Sequence, residues 1–153
     1  MNIEDKFEVP VKVKRLIRDA ILPKYAHGGD AGLDFYSIEN QTIPAGERRL
    51  ISTGISMEFP KGYVAFVKDK SGVAYKQGVE TMAGVIEYTY RGEYKILMQN
   101  DSKKSYEVIK GEKVAQVVIL PVATAKIIEV DELSETKRGD GAFGSTGLTN
   151  NQA

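Results

Sequence analysis

Between positions 11 and 130 the chain never sustains one long apolar pattern. It is cut into short runs of β-branched or alternating apolar residues, each closed by glycine, proline or a polar cluster. Residues 11–17 alternate apolar and basic apart from the last three, and 41–46 read as a strand end entering a turn. Residues 49–59 form a run broken by Gly54 and closed by Pro60-Lys61-Gly62. The series continues through 63–67, 84–86, 94–98, 106–109, 113–121 and 125–130. Runs this short and this evenly spaced indicate an all-β sandwich or barrel. Only residues 71–76 invite a short helix, with Ser71 as its cap and Gly78 as its stop.

A chain of 153 residues suits one domain that buries roughly two thirds of its unfolded surface. No linker and no repeat of fixed period divides it, so we expect residues 1–133 to form a β domain. Beyond about Leu133 the apolar pattern stops, and residues 134–153 are expected to form a flexible arm. From Asp131 to Phe143 such an arm spans about 40 Å when extended. It could close over its own pocket or reach a neighbouring subunit.

Twenty-one basic residues balance twenty-one acidic ones. That argues against nucleic acid as a partner but leaves room for a local cationic pocket. The absence of cysteine excludes disulfides, thiol nucleophiles and thiolate metal sites together. With His27 as the only histidine, a serine–histidine triad or a zinc site is poorly supplied. No stretch has signal-peptide character or membrane-spanning length, so the chain is expected to be soluble, cytoplasmic and free of membrane contact.

Five segments carry chemistry. The run from Arg138 to Gly147 holds four glycines, one arginine, the ring of Phe143 and the adjacent hydroxyls of Ser145 and Thr146. Glycines allow a backbone to approach a ligand closely, an arginine fork suits phosphate, and a ring can stack on a base. A flexible Gly/Ser tail has the same composition. Asp30 and Asp34 flank Gly32 at a strand start, as turn caps or as an acidic pair. Lys70, Ser71 and Gly72 stand where a strand may give way to a helix, either as a solvated turn or as a phosphate cradle. The glycine spacing of a Walker loop is missing. Residues 84–93 read as a hairpin whose tip holds Glu87 and the tyrosines Tyr88 and Tyr90; a carboxylate there can deprotonate an attacking water. Finally, Gln116 is polar just where the apolar strand 117–120 begins, either satisfied within the sheet or aimed at a ligand.

In this order, the five segments resemble the five motifs of the trimeric dUTPase (deoxyuridine triphosphate nucleotidohydrolase) family. The likeness runs from about Val11 to Gly147. Ala31-Gly32-Leu33-Asp34 is similar to the first motif and Lys70-Ser71-Gly72-Val73-Ala74 to the second. Gly84-Val85-Ile86-Glu87 through Tyr90-Arg91-Gly92 is similar to the third. Gly111 through Gln116 and Arg138 through Gly147 are similar to the fourth and fifth.

The resemblance implies a distorted β-barrel or jelly-roll subunit, a homotrimer and active sites at subunit boundaries. It implies hydrolysis of dUTP to dUMP and pyrophosphate by water attack on the α-phosphorus, which limits uracil in DNA and supplies dUMP for dTMP synthesis. Mg2+ would be held mainly by the triphosphate and water rather than by the protein. By the same resemblance Glu87 would activate the water, and Asp34 would support the metal-water or inter-motif network. Tyr90 would lie against the deoxyribose, while backbone groups of a hairpin over 79–86, including Gly84, Val85 and Ile86, would read uracil. Lys70, Ser71, Gly72 and Gln116 would hold phosphate oxygens. In the arm, Phe143 would stack on uracil while Arg138, Gly144, Ser145 and Thr146 enclose the phosphates.

The chain departs from the family pattern at Lys70, usually arginine, and at Glu87, usually aspartate. Met82 replaces a small residue and Asp69 a proline. Lys70 and Glu87 motivate an alternative, a nucleotide-binding or regulatory module with weakened hydrolysis. A dCTP deaminase of the same fold would need a further carboxylate after the third motif, where Ile96, Leu97, Met98 and Gln99 supply none.

Overall fold

The computed structural model describes residues 8–142. Within them the elements run β1 (Lys12–Arg15), β2 (Leu33–Tyr36), β3 (Gln41–Ile43), β4 (Arg48–Ile51), β5 (Ile55–Glu58) and β6 (Tyr63–Lys68). Then follow α1 (Ser71–Gln77), β7 (Val79–Met82), β8 (Val85–Glu87), β9 (Ile96–Asn100), β10 (Tyr106–Val108) and β11 (Lys113–Pro121). The fold is all-β with one short helix, a distorted jelly-roll of four small antiparallel sheets. The largest has the order β2-β11-β6-β8, and a three-stranded sheet has the order β4-β9-β7. Two-stranded pairs, β1 with β5 and β3 with β10, complete the set.

β11 is the longest strand and lies between β2 and β6, which pair with its first and second halves and overlap at Gln116 and Val117. Val114, Ala115 and Val117 are buried. Its register places Gln116 opposite Asp34 on β2 and opposite Lys68 on β6. Phe35 of β2 stacks on Tyr94 at the centre of the core, with ring centroids 5.9 Å apart. Ile43, Ile51, Ile55, Met57, Ile96 and Met98 pack around this pair from four further strands.

The run 49–59 splits into β4 and β5 at Gly54, as its glycine indicates. The break is buried, and the Glu93 carboxylate accepts the Thr53 and Gly54 amides at 3.1 and 2.8 Å. These are two donors that the strand interruption would otherwise leave without partners.

Three expectations need correction. Ser71 does not cap α1: Lys70 is the N-cap and no side-chain cap bond is made, although Gly78 does end the helix in the left-handed conformation. The segments 79–86 and 84–93 are not paired hairpins. β7 pairs with β9 and β8 pairs with β6, so the chain passes between two sheets at Ala83-Gly84. Residues 125–130 form no strand. Ile127 and Ile128 stay 86% and 69% exposed, because an apolar run needs a ladder partner and no described strand offers one. The last backbone bond from this end to the domain is Val122 N–H to Gly62 O, at 2.8 Å. Among the described residues no helix is long and apolar enough to cross a membrane.

The buried Tyr94 hydroxyl has no hydrogen-bond partner among the described residues, and burial pushes its pKa up to about 12. Tyr94→Phe removes a desolvated group while keeping the ring stack. Thermal unfolding should therefore show equal or higher stability for this variant. A loss above about 1 kcal/mol would mean that the hydroxyl bonds to something beyond residues 8–142.

Candidate active site

β8 ends the four-stranded sheet and β7 ends the three-stranded one, so two sheet edges face the Ala83-Gly84 crossing. An edge strand keeps one row of backbone donors and acceptors free of ladder bonds. Beside this edge lies a cavity of about 460 Å³, lined by Ala83, Val85, Ile86, Glu87 and Tyr90 among others. The Gly84 carbonyl accepts the Val67 amide at 2.8 Å, which ties the crossing to β6. Ala83 adopts a φ of +52°, the only non-glycine residue described with positive φ.

After β8 the chain turns back, with Tyr90 N–H donating to Glu87 O at 3.0 Å. The Tyr90 hydroxyl donates to Glu93 O at 3.1 Å, folding the ring over Gly92. A Cβ on Gly92 would come within 2.5 Å of Tyr90 Cζ, so glycine is needed there for space. Glu93, whose carboxylate holds the β4–β5 break, thus anchors the turn that presents Glu87 and Tyr90. Sequence reasoning overlooked Glu93, whose role rests on contacts some forty residues away.

A second cavity, of about 740 Å³, opens where β6 meets α1. Lys70, Ser71, Gln116, Lys113 and Lys68 line it. Gln116 donates from Nε2 to Asp69 O at 2.8 Å. A Cβ on Gly32 would come within 3.0 Å of the Gln116 Cβ and overlap its amide oxygen, so Gly32 makes room for that side chain. Asp69 is itself fixed, its Oδ1 accepting the Thr81 amide and hydroxyl at 2.6 and 2.7 Å. These bonds tie the end of β6 to β7. Gly72 lies exposed in the first turn of α1.

Behind this cavity Asp34 is buried, its side chain 2% exposed. One carboxylate oxygen meets Lys70 Nζ at 2.5 Å and the other meets Lys113 Nζ at 2.6 Å. The Lys70 contact is a well-aligned hydrogen bond. The Lys113 contact is an ion pair at short range that misses hydrogen-bond angles, since Asp34 Oδ2 has no satisfied geometry. Asp30, by contrast, accepts the His27 amide at 2.9 Å in an exposed loop.

The structure therefore groups Asp34, Lys70, Ser71 and Gln116 in and behind one cavity, and Val85, Ile86, Glu87 and Tyr90 around another. The two cavities share no lining residue. Glu87 pairs with Val64, whereas Lys68, four residues further along β6, pairs with Gln116. At strand rise this separates the two rows by about 13 Å. Arg138 lies exposed in the arm, its Nε donating to Gly141 O at 2.9 Å. Phe143, Gly144, Ser145 and Thr146 lie outside the described residues.

Burial by itself raises the Asp34 carboxyl, but the close ammonium groups of Lys113 and Lys70 outweigh it. They hold its pKa below the ordinary value of 3.8. A carboxyl with a lowered folded pKa adds stability above its unfolded value, and loses it as pH falls through the folded one. The stability gap between the protein and an Asp34→Asn variant, read by urea unfolding, should stay constant from neutral pH to about 5. It should then narrow below 3.8. A gap unchanged down to about pH 2.5 would contradict the paired-carboxylate assignment.

Comparison with known proteins converges on one family. A family model described as dUTPase matches residues 18–147. The deoxyuridine 5'-triphosphate nucleotidohydrolase of Clostridium acetobutylicum is 49% identical over 142 residues, covering 92% of this chain and 98% of that protein. That of Nautilia profundicola is 46% identical over 139 residues, covering 90% and 98%. Among solved structures, the Staphylococcus bacteriophage 80alpha dUTPase with dUPNHPP matches with a TM-score of 0.86 at 30% identity, over 91% of this chain and 99% of that one. A mutant dUTPase from phage phi11 of S. aureus, described with a structural Mg(II) ion, matches with a TM-score of 0.78 at 26% identity, over 82% and 99%. With a family model spanning most of its length and relatives near half identical, the chain belongs to the dUTPase family.

Proposed function

We propose that this protein is a dUTP diphosphatase: it hydrolyses dUTP to dUMP and pyrophosphate by directing water at the α-phosphorus. The observation that carries this reading is the cavity at the free edge of β8, where a carboxylate, a tyrosine ring and an unpaired backbone edge stand together. A backbone edge offers donors and acceptors in fixed order. Uracil and cytosine reverse that order at N3 and C4, so such an edge can separate them without a side chain. Tyr90, tethered to Glu93 O, presents its ring as a wall for the deoxyribose, where an added 2′-hydroxyl would crowd it. Glu87, exposed at the end of β8, serves as the general base.

Lys70, Ser71, Gly72 and Gln116 form the phosphate-binding part, with Asp34 holding Lys70 in place from behind. Because this part and the β8 cavity share no residue within one chain, we infer that each active site draws on more than one copy in a homotrimer. The unpaired apolar run with Ile127, Ile128, Val130 and Leu133 supports the same reading, since a second copy offers the cover that one chain lacks. In this proposal residues 1–133 are the β domain and 134–153 the arm. Arg138, Phe143, Gly144, Ser145 and Thr146 then close over the bound nucleotide.

Magnesium fits this site only as a passenger of the substrate. Among the described residues no group of three or more His, Asp or Glu stands close enough to hold a cation, and the phosphate cavity is lined by lysines. Bound to the triphosphate oxygens, Mg2+ would neutralise part of their charge. The protein's own groups then position the chain of phosphates and exclude alternative poses. A binding module without hydrolysis is not favoured, since Glu87 lies at the cavity beside Tyr90.

Pyrophosphate release should be far faster from dUTP than from dCTP, dTTP or UTP. Glu87→Gln should lower kcat by at least about 100-fold while leaving the fold intact by circular dichroism. Equal turnover of the variant, or equal rates for dUTP and dCTP, would overturn this function.

A further inference from the structure

We propose that Asp69 is a positioning residue for base selection: through Thr81 it clamps the crossing at Ala83-Gly84, whose backbone borders the β8 cavity. This inference rests on the functional reading above and extends it to a residue given no part in the reaction there.

The first support is where the clamp acts. β7 ends its sheet, so one row of its backbone groups has no ladder partner. Asp69 supplies a partner to that row: its Oδ1 accepts the Thr81 amide at 2.6 Å and the Thr81 hydroxyl at 2.7 Å. Two residues before Asp69, the Val67 amide donates to Gly84 O at 2.8 Å. A Cβ on Gly84 would stand 2.6 Å from Val67 O, so the two backbones are in direct contact. Residues 67–69 thus grip the crossing on both sides of Ala83. Ala83 has a φ of +52°, a left-handed conformation that an alanine keeps only where its surroundings impose it. That conformation sets where its amide and carbonyl point, and Ala83 lines the cavity beside Val85 and Ile86. Hydrogen bonds weaken steeply with distance and angle, so a shift of about 1 Å here blurs the donor–acceptor order that separates uracil from cytosine.

The second support is charge. Asp69 lines the lysine cavity, where one more negative charge opposes a bound phosphate. Proline, the family's usual residue at this position, brings no such charge but also no side-chain acceptor for Thr81. The bond from Gln116 Nε2 goes to the Asp69 main-chain oxygen, at 2.8 Å, so a change of side chain leaves that acceptor in place. Loss of the carboxylate therefore acts on the two cavities with opposite signs: base selection suffers, and phosphate binding does not.

The test compares wild type with Asp69→Ala, Asp69→Asn and Thr81→Val, by kcat/KM for dUTP and dCTP and by calorimetric titration with dUMP and inorganic tripolyphosphate. Asp69→Ala should lower the dUTP-to-dCTP ratio and the dUMP affinity by about 10-fold or more, the scale of a charge-assisted hydrogen bond. Tripolyphosphate should bind to it at least as tightly as to wild type. Thr81→Val loses the hydroxyl bond and keeps the amide one, so its ratio should fall between. Asp69→Asn keeps a neutral acceptor and should restore most of the ratio. An unchanged ratio in folded Asp69→Ala would overturn the proposal. An equal loss for dUTP, dCTP and tripolyphosphate would also overturn it, since that marks a general loosening of the fold. The titrations separate this proposal from the reading beneath it. If wild type turns over no dUTP, yet Asp69→Ala loses dUMP and keeps tripolyphosphate, the clamp stands and the hydrolase assignment fails.

Discussion

The register of β11 is the constraint on which the rest of the site depends. This strand pairs with β2 on one side and β6 on the other, and Gln116 meets Asp34 and Lys68 across the two ladders. Segments more than thirty residues apart in sequence are brought to one cavity by these two backbone ladders. A slip of one residue would turn Gln116 into the core and expose Val117, which is fully buried. Burial of Val114, Ala115 and Val117 therefore fixes the position of the polar side chains between them. Core packing and site geometry are one and the same specification here.

Much of this was legible in the chain itself. Short β-branched runs between turn residues announced the all-β class, and Gly78 announced the end of α1. The order of the five chemical segments points to the family. What local sequence could not carry was pairing across distance. Residues 84–93 look like a hairpin because two strand-like runs flank a turn, yet β8 finds its partner in β6 and β9 finds β4 and β7. Ser71 has the chemistry of a cap, but Lys70 occupies the capping position. The run 125–130 has every local mark of a strand and forms none, because periodicity shows that a segment wants a partner and not where the partner is.

The two carboxylates of the site show how environment assigns roles. Asp34 lies behind a cavity with both oxygens committed to lysines, which suits it to holding cations in place. Glu87 lies at the end of an edge strand, exposed beside Tyr90, in the position proposed for the general base. Glutamate in place of the family's usual aspartate reaches one methylene further, and the turn held by Glu93 sets where that reach ends. Asp69, in place of a proline, earns its position by tying β6 to β7 through Thr81. Departures from the family pattern thus come with contacts of their own.

The central claim is that the carboxylate edge of one copy works with the lysine cavity of another. It is tested most directly by co-expressing two inactive variants, Glu87→Gln and Lys70→Ala, in equal amounts and measuring dUTP hydrolysis of the mixed assembly. Random mixing should restore about one quarter of the wild-type activity, because that share of sites joins an intact edge to an intact cavity. If the mixture stays as inactive as its parents while forming mixed assemblies, each site is built within a single chain and the account is wrong.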